Sequence, residues 1–149
     1  MFTRVLIVDD QPRARHSLKA LLTAMRWSTP ERAGQPAQAS FYPVEVVGEA
    51  GDGPQALAQV AALLPDVVVM DLQPHSMSSA EPRQDGIATI KTIKTRWPAT
   101  RIVVLTMYAT DRTSVLAAGA DIFLLKGCPT KDLLDAVMPG EAASRSQDV

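Results

Sequence analysis

The stretch that decides the fold is Val67-Val68-Val69-Met70-Asp71, in which four consecutive apolar residues run directly into a carboxylate. An apolar run without polar alternation predicts a strand that is buried on both faces, as in a parallel sheet. Further runs of the same kind lie along the chain at Val5-Leu6-Ile7-Val8, Val44 to Val47, Ile102-Val103-Val104-Leu105 and Ile122-Phe123-Leu124-Leu125. The sequence therefore predicts five buried strands.

Helical patterns occupy the segments between and after these runs. Apolar residues recur at helical spacing after three helix-starting segments, which are Pro12, Asp52-Gly53-Pro54 and Cys128-Pro129-Thr130. Asp85 is predicted as the N-cap of the third helix, and the fourth is predicted from about Asp111 to Ala118, closed by Gly119. This alternation favours an α/β, flavodoxin-like, doubly wound sheet of five parallel strands in the order 2-1-3-4-5, with five helices.

The length of the chain bounds its domain organisation. With 149 residues there is room for one compact domain, which we expect to span 1–138. Two polar, proline-containing stretches, at about 28–43 and 74–84, are predicted as loop insertions, and 139–149 as a flexible tail or linker.

Composition excludes several classes of partner and site. There are 15 basic and 16 acidic residues, so the chain lacks the clustered positive charge of nucleic-acid binders and of membrane-surface segments. The single cysteine, Cys128, can form neither an internal disulfide nor a zinc site alone, which fits a reducing compartment. The first apolar run is too short for a signal peptide or a membrane span. We therefore expect a cytoplasmic protein that binds neither nucleic acid nor membranes.

The residues that follow the predicted strands carry the chemistry. Asp9-Asp10 follows the first strand, Asp71 the third, Thr106 the fourth and Lys126 the fifth. In a doubly wound sheet these strand ends meet at one edge, where ligands bind. Clustered carboxylates repel one another, and a few oxygen ligands of this kind favour Mg²⁺. With a lysine and a hydroxyl nearby, the set suits phosphoryl transfer to an aspartate.

These segments together resemble the receiver domain of two-component response regulators. The resemblance runs from Val5 to about Val137, and its order and spacing are those of the LuxR/NarL-type subfamily. The segments that carry it are 5–12, 46–50, 66–72, 103–106 and 118–126.

The resemblance implies roles for individual residues. Asp71 matches the phosphoacceptor, Lys126 the lysine that pairs with the phosphoryl group, and Thr106 the switch hydroxyl. Phe123 matches the aromatic residue that moves with that hydroxyl.

The resemblance also implies a Mg²⁺ site. Asp10 and Asp71 match the direct carboxylate ligands, and Asp9 matches the carboxylate that acts through metal-bound water. Gln73 occupies the position whose backbone carbonyl completes the coordination.

The implied function is a phospho-accepting switch with weak autodephosphorylation rather than an enzyme. Its expected partner is a histidine kinase or a phosphotransfer protein. Phosphorylation is expected to change the face formed by strand four, helix four, strand five and helix five. The chain could also form a homodimer through helix four, strand five and helix five.

Several departures from the family pattern leave alternatives open. The segment between Asp71 and Asp85-Gly86 is longer than in the family, and Gly127 follows Lys126 where proline is frequent. The chain could be a pseudo-receiver that acts without phosphorylation, or the receiver half of a LuxR-type transcription factor without its DNA-binding domain. A phosphatase with an aspartyl nucleophile is disfavoured because Asp9-Asp10 lacks the Asp-x-Asp spacing.

Overall fold

Five parallel strands and five helices alternate along the described part of the chain. The computed structural model describes residues 3–25, 44–72 and 82–137. The elements are β1 (Thr3–Val8), α1 (Pro12–Met25), β2 (Val44–Ala50), α2 (Gly53–Leu63), β3 (Val67–Leu72), α3 (Pro82–Arg96), β4 (Arg101–Thr106), a 3₁₀ turn (Ala109–Asp111), α4 (Arg112–Ala118), β5 (Ile122–Leu125) and α5 (Thr130–Val137).

The strands form one sheet in the order β2-β1-β3-β4-β5, and every neighbouring pair is parallel. The predicted fold class, strand number and strand order are therefore confirmed. Most strands extend past the apolar runs that predicted them. β3 continues to Leu72, so Asp71 lies within the strand, opposite Leu105 of β4, rather than after its end.

Alternate side chains of the strands bury against helices on opposite faces of the sheet, because successive residues of a strand point to opposite sides. On one face, Leu6, Val68 and Val104 pack with residues of α2, α3 and α4. On the other face, Ile7 and Val69 pack with residues of α1 and α5. These two faces are called the α2–α4 face and the α1/α5 face below.

The helix boundaries confirm most of the local expectations. Asp52 caps α2 by accepting a hydrogen bond from the Gln55 amide at 2.8 Å. Gly119 ends α4 with φ +113°, the left-handed conformation that glycine tolerates.

The start of α3 differs from the prediction. The helix begins at Pro82, so Asp85 lies inside its first turn and the expected N-cap at Asp85 is wrong. The reason is that proline is well tolerated in a first helical turn, where its missing amide has no partner to lose.

Parts of the chain with predicted features lie outside the described residues. They are the loop at about 28–43, the segment 74–81 of the second loop, Gln73 and the tail 139–149. The domain limits therefore stay predictions. Among the described helices, none combines the length and apolar character needed to cross a membrane.

Candidate functional site

Three strand ends bring an acidic cluster and a lysine together at the carboxyl edge of the sheet. Asp9 and Asp10 follow β1, Asp71 lies near the end of β3, and Lys126 follows β5. The Lys126 Nζ atom lies 2.6 Å from Asp71 Oδ2, and the side chains are 30% and 5% exposed respectively. The structure thus brings Asp71 and Lys126 into contact at this edge, whereas the roles predicted for these residues stay predictions.

The alternation of the strands decides which side chains share a face. Asp71 has the parity of Val67 and Val69, which bury on the α1/α5 face. Lys126 follows Leu125 directly, and its backbone amide donates to the Thr106 carbonyl at 2.8 Å. This bond fixes the lysine at the edge of β4, from where its side chain reaches Asp71.

Asp71 is a buried carboxyl group in an unfavourable position for a negative charge. Its Oδ1 atom has no hydrogen-bond partner within the described residues. Burial raises the pKa of Asp71 from 3.8 to about 7, assisted by a hydrogen bond with the Asp9 carboxyl and by the charge of Asp9. Lys126 opposes this rise by hydrogen bonding and by its positive charge. The site thus holds more negative charge than its own cation neutralises.

The two acids after β1 differ in exposure. Asp9 is 2% exposed, its Oδ1 accepts from the Gln11 amide at 2.9 Å, and its carbonyl accepts from Arg15 Nη1 at 2.7 Å. Asp10 is exposed, and partial burial together with the neighbouring Asp9 raises its pKa. The carboxylate of Asp9 is therefore buried and held by hydrogen bonding, whereas that of Asp10 is accessible to a ligand from solvent.

The acidic cluster fits a divalent cation. A cation would offset the burial and the repulsion from Asp9 that raise the pKa values of Asp10 and Asp71. It would also give a ligand role to Asp71 Oδ1, which has no partner within the described residues. Within residues 3–25, 44–72 and 82–137, no three acidic, histidine or cysteine side chains form a ready-made metal cage. Mg²⁺ does not need one, because it keeps several waters and takes only one or two carboxylates from the protein.

Thr106 lies at the end of β4, and its hydroxyl group hydrogen-bonds to Asp111 rather than to Asp71. It is fully buried and donates a hydrogen bond to Asp111 Oδ2 at 2.8 Å, while its oxygen accepts from the Tyr108 amide at 3.2 Å. Sequence reasoning found Thr106 but missed Asp111, which was placed only at the start of the fourth helix. The sequence does not predict this hydrogen bond, because an aspartate five residues after Thr106 is expected to cap the following helix.

Phe123 is the second of the four β5 residues that pair with β4, and it lies opposite Val104. It is partly buried and packs against the core of the α2–α4 face, the same face to which Thr106 belongs by strand parity. This position would allow Phe123 to move together with Thr106. Gln73, the predicted source of a backbone carbonyl ligand, lies outside the described residues.

Comparison with known proteins identifies close resemblances over most of the chain. Residues 41–138 match the family described as the response regulator receiver domain. The uncharacterized transcriptional regulatory protein YxjL of Bacillus subtilis is 32% identical over 98% of this chain, and the response regulator VraR of Staphylococcus aureus is 30% identical over 92%. The chain spans 56% of the length of each of these relatives.

Solved structures agree with this assignment. The receiver domain of the putative response regulator NarL from Mycobacterium tuberculosis is 28% identical, with a TM-score of 0.67 over 91% of this chain and 92% of that one. The isolated REC domain of RcsB from Salmonella enterica serovar Typhimurium, determined with the phosphomimetic BeF₃⁻, is 26% identical, with a TM-score of 0.67 over 97% and 98%. A CheY-like receiver protein from Methanospirillum hungatei, 21% identical, shares the fold with a TM-score of 0.67 over both whole chains.

Proposed function

The chain belongs to the response regulator receiver domain family, and we propose that it is a switch that a histidine kinase or a phosphotransfer protein phosphorylates on Asp71. The observation that carries the proposal is the environment of this carboxylate. Asp71 is buried beside Asp9, Lys126 contacts one of its oxygens, and the other oxygen has no partner within the described residues.

The transfer step follows from these contacts. One carboxylate oxygen of Asp71 attacks the phosphorus of a phosphohistidine, the new O–P bond forms, and the P–N bond to the imidazole breaks with its electron pair returning to the ring. Lys126 neutralises the charge of a phosphoryl oxygen. Its ammonium group already contacts the Asp71 carboxylate, so it lies close to the incoming phosphoryl group. Only the ionised acceptor can attack, so the raised pKa of Asp71 opposes loading in the absence of a cation.

Mg²⁺ is the proposed cofactor, and when bound it supplies positive charge that keeps the acceptor ionised and offsets the charge of the phosphoryl group. Asp10 and Asp71 would be its carboxylate ligands, Asp9 would act through a bound water, and the Gln73 carbonyl would complete the set. We also propose slow autodephosphorylation, in which water attacks the acyl phosphate on Asp71 and releases inorganic phosphate.

The proposed switch uses the residues at the ends of β4 and β5. The phosphoryl group, with about −1.5 to −2 charges at neutral pH, attracts the Thr106 hydroxyl, and Phe123 moves into the space that Thr106 leaves. Both side chains belong to the face that carries α4. The affected surface would be formed by α4, β5 and α5, where Leu116 and Leu125 are 38% and 40% exposed. This surface is the proposed homodimer contact.

The wider setting is also a proposal. We place the protein in the cytoplasm, where response regulators meet their kinases, and we propose that residues 1–149 do not themselves bind nucleic acid. RcsB has been determined bound to the promoter rprA, but the present chain covers only 65% of that protein. Any DNA-binding activity of a longer protein would have to come from sequence beyond the receiver.

Phosphoryl uptake from a small-molecule donor tests the proposal. The purified chain is incubated with acetyl phosphate and Mg²⁺, and its intact mass is measured over time. We expect one added phosphoryl group in the parent and in Asp66→Asn, a control at the opposite end of β3, and none in Asp71→Asn. A parent protein that gains no phosphoryl group from any donor with Mg²⁺ present would instead be a pseudo-receiver.

A further inference from the structure

The Thr106 hydroxyl is held by a second buried residue, Asp111. Thr106 is 0% exposed and Asp111 is 8% exposed, and the hydroxyl-to-carboxylate distance is 2.8 Å. The Tyr108 amide donates to the same hydroxyl oxygen at 3.2 Å, which orients the hydroxyl proton toward Asp111. The switch hydroxyl therefore already has a charge-assisted hydrogen bond in this structure.

We propose that Asp111 is a positioning residue that holds the Thr106 hydroxyl in its unphosphorylated orientation. The phosphoryl group on Asp71 must then compete with Asp111 for the hydrogen bond from Thr106 before the conformational change can occur. The inference rests on the proposed function of Asp71 as acceptor. It adds a residue outside the acidic cluster that opposes activation.

The competition follows from the chemistry of a threonine hydroxyl. The group has one proton and can donate one hydrogen bond at a time. Asp111 holds this proton on the α2–α4 face, whereas Asp71 belongs to the α1/α5 face by strand parity. Thr106 must therefore release Asp111 in order to donate to a phosphoryl oxygen on Asp71.

The side chain of Asp111 hydrogen-bonds to Thr106 instead of capping its own helix. Asp111 ends the 3₁₀ turn and occupies the N-cap position of α4, yet its side chain makes no capping hydrogen bond. An aspartate at an N-cap ordinarily accepts from the helix amides. Because the pair is buried, water does not readily replace either partner, and the hydrogen bond retains its strength.

A double-mutant cycle tests the proposal through the affinity for beryllofluoride, the phosphoryl analogue BeF₃⁻, in the presence of Mg²⁺. The four proteins are the parent, Asp111→Asn, Thr106→Ala and the double variant. We expect Asp111→Asn to bind beryllofluoride about fivefold or more tightly, since a neutral amide accepts a weaker hydrogen bond than a carboxylate. In the Thr106→Ala background the same change should alter the affinity by less than about twofold.

A charge control separates the hydrogen bond from a general electrostatic effect. Asp52→Asn removes one negative charge at the same edge of the sheet and keeps the N-cap of α2, because asparagine caps as well as aspartate. It should leave beryllofluoride affinity within about twofold of the parent at moderate salt, where exposed charges are screened. Thr106→Ser, which keeps the hydroxyl, should preserve the effect of Asp111→Asn.

A second readout needs no phosphoryl analogue. In the unphosphorylated protein, the side-chain couplings of Thr106 should report one rotamer in the parent and an average of rotamers in Asp111→Ala. Parent-like beryllofluoride affinity in both Asp111 variants, or an effect of equal size without the Thr106 hydroxyl, would overturn the inference. Failure of the parent itself to bind beryllofluoride with Mg²⁺ would instead refute the proposed function, and the inference with it.

Discussion

Replacement of Asp71 by asparagine should stabilise the metal-free protein while removing its phosphoacceptor. Asparagine has nearly the shape of a protonated aspartate but cannot ionise. The parent carboxyl group is buried beside Asp9, and its pKa is raised from 3.8 to about 7. Ionised Asp71 is therefore less favourable in the folded protein than in the unfolded chain, and the variant escapes that cost.

The magnitude and its pH dependence follow from linkage. A folded-state pKa above the unfolded value means that the folded protein binds more protons between the two, so the free energy of unfolding falls as pH rises from about 4 to about 7. At ~1.4 kcal/mol per pKa unit the full rise corresponds to about 4 kcal/mol. Solvent reaches the pair through the half-buried Lys126, so screening reduces this to about 1–2 kcal/mol.

Urea unfolding in a chelating buffer measures this difference. Asp71→Asn should exceed the parent in unfolding free energy by about 1–2 kcal/mol near pH 8, which is roughly 2–8 °C in Tm for a chain of this size. The difference should shrink toward zero near pH 4, and Mg²⁺ should narrow it at pH 8 by binding the folded parent. Asp52→Asn, a change at an exposed cap, should stay within about 0.5 kcal/mol of the parent. A stability difference that does not change with pH would show that ionisation of Asp71 is not its cause.

Three further substitutions test the site and the fold. Asp10→Ala should weaken Mg²⁺ binding at least tenfold in calorimetry, since it removes one of the few carboxylates available to the ion; unchanged affinity would exclude it as a ligand. Lys126→Met should slow phosphoryl uptake at least tenfold and move its pH optimum upward, because Lys126 lowers the pKa of the acceptor; a parental rate and optimum would contradict this role. In urea unfolding, Gly119→Ala should lower the free energy of unfolding by about 1 kcal/mol or more beyond the loss in Gly127→Ala. Both glycines have positive φ, but only at Gly119 would an added Cβ lie 2.9 Å from Lys94 Cγ. Equal losses in the two variants would show that the contact with Lys94 is relieved.

The sheet could be predicted because its signal is local. Each of the five apolar runs is a strand in the structure. The rule that parallel strands end at one edge predicts Asp71 near Lys126, and the two side chains are in contact. The exact strand ends were less predictable. Asp71 lies within β3 because hydrogen bonding to β4 continues through Leu72, opposite Thr106, and depends on the partner strand rather than on local sequence.

Other features depend on packing that a sequence does not display. Asp85 has the residue type of an N-cap, but α3 begins three residues earlier at Pro82. The hydrogen bond from Thr106 to Asp111 requires the 3₁₀ turn at Ala109–Asp111 to bring the carboxylate back toward β4. Residue types indicated a switch hydroxyl at Thr106, while its partner in the unphosphorylated protein became visible only in three dimensions.

Asp71 is the proposed phosphoacceptor, and a measurement that locates the phosphoryl group within the chain can distinguish it from every other residue. The protein is loaded with acetyl phosphate and Mg²⁺, digested rapidly at low temperature, and its peptides are fragmented in a mass spectrometer. We expect a single hydroxylamine-sensitive acyl phosphate on Asp71, absent when Mg²⁺ is chelated. A phosphoryl group found on Asp9, Asp10 or any hydroxyl side chain, with Asp71 unmodified, would contradict it.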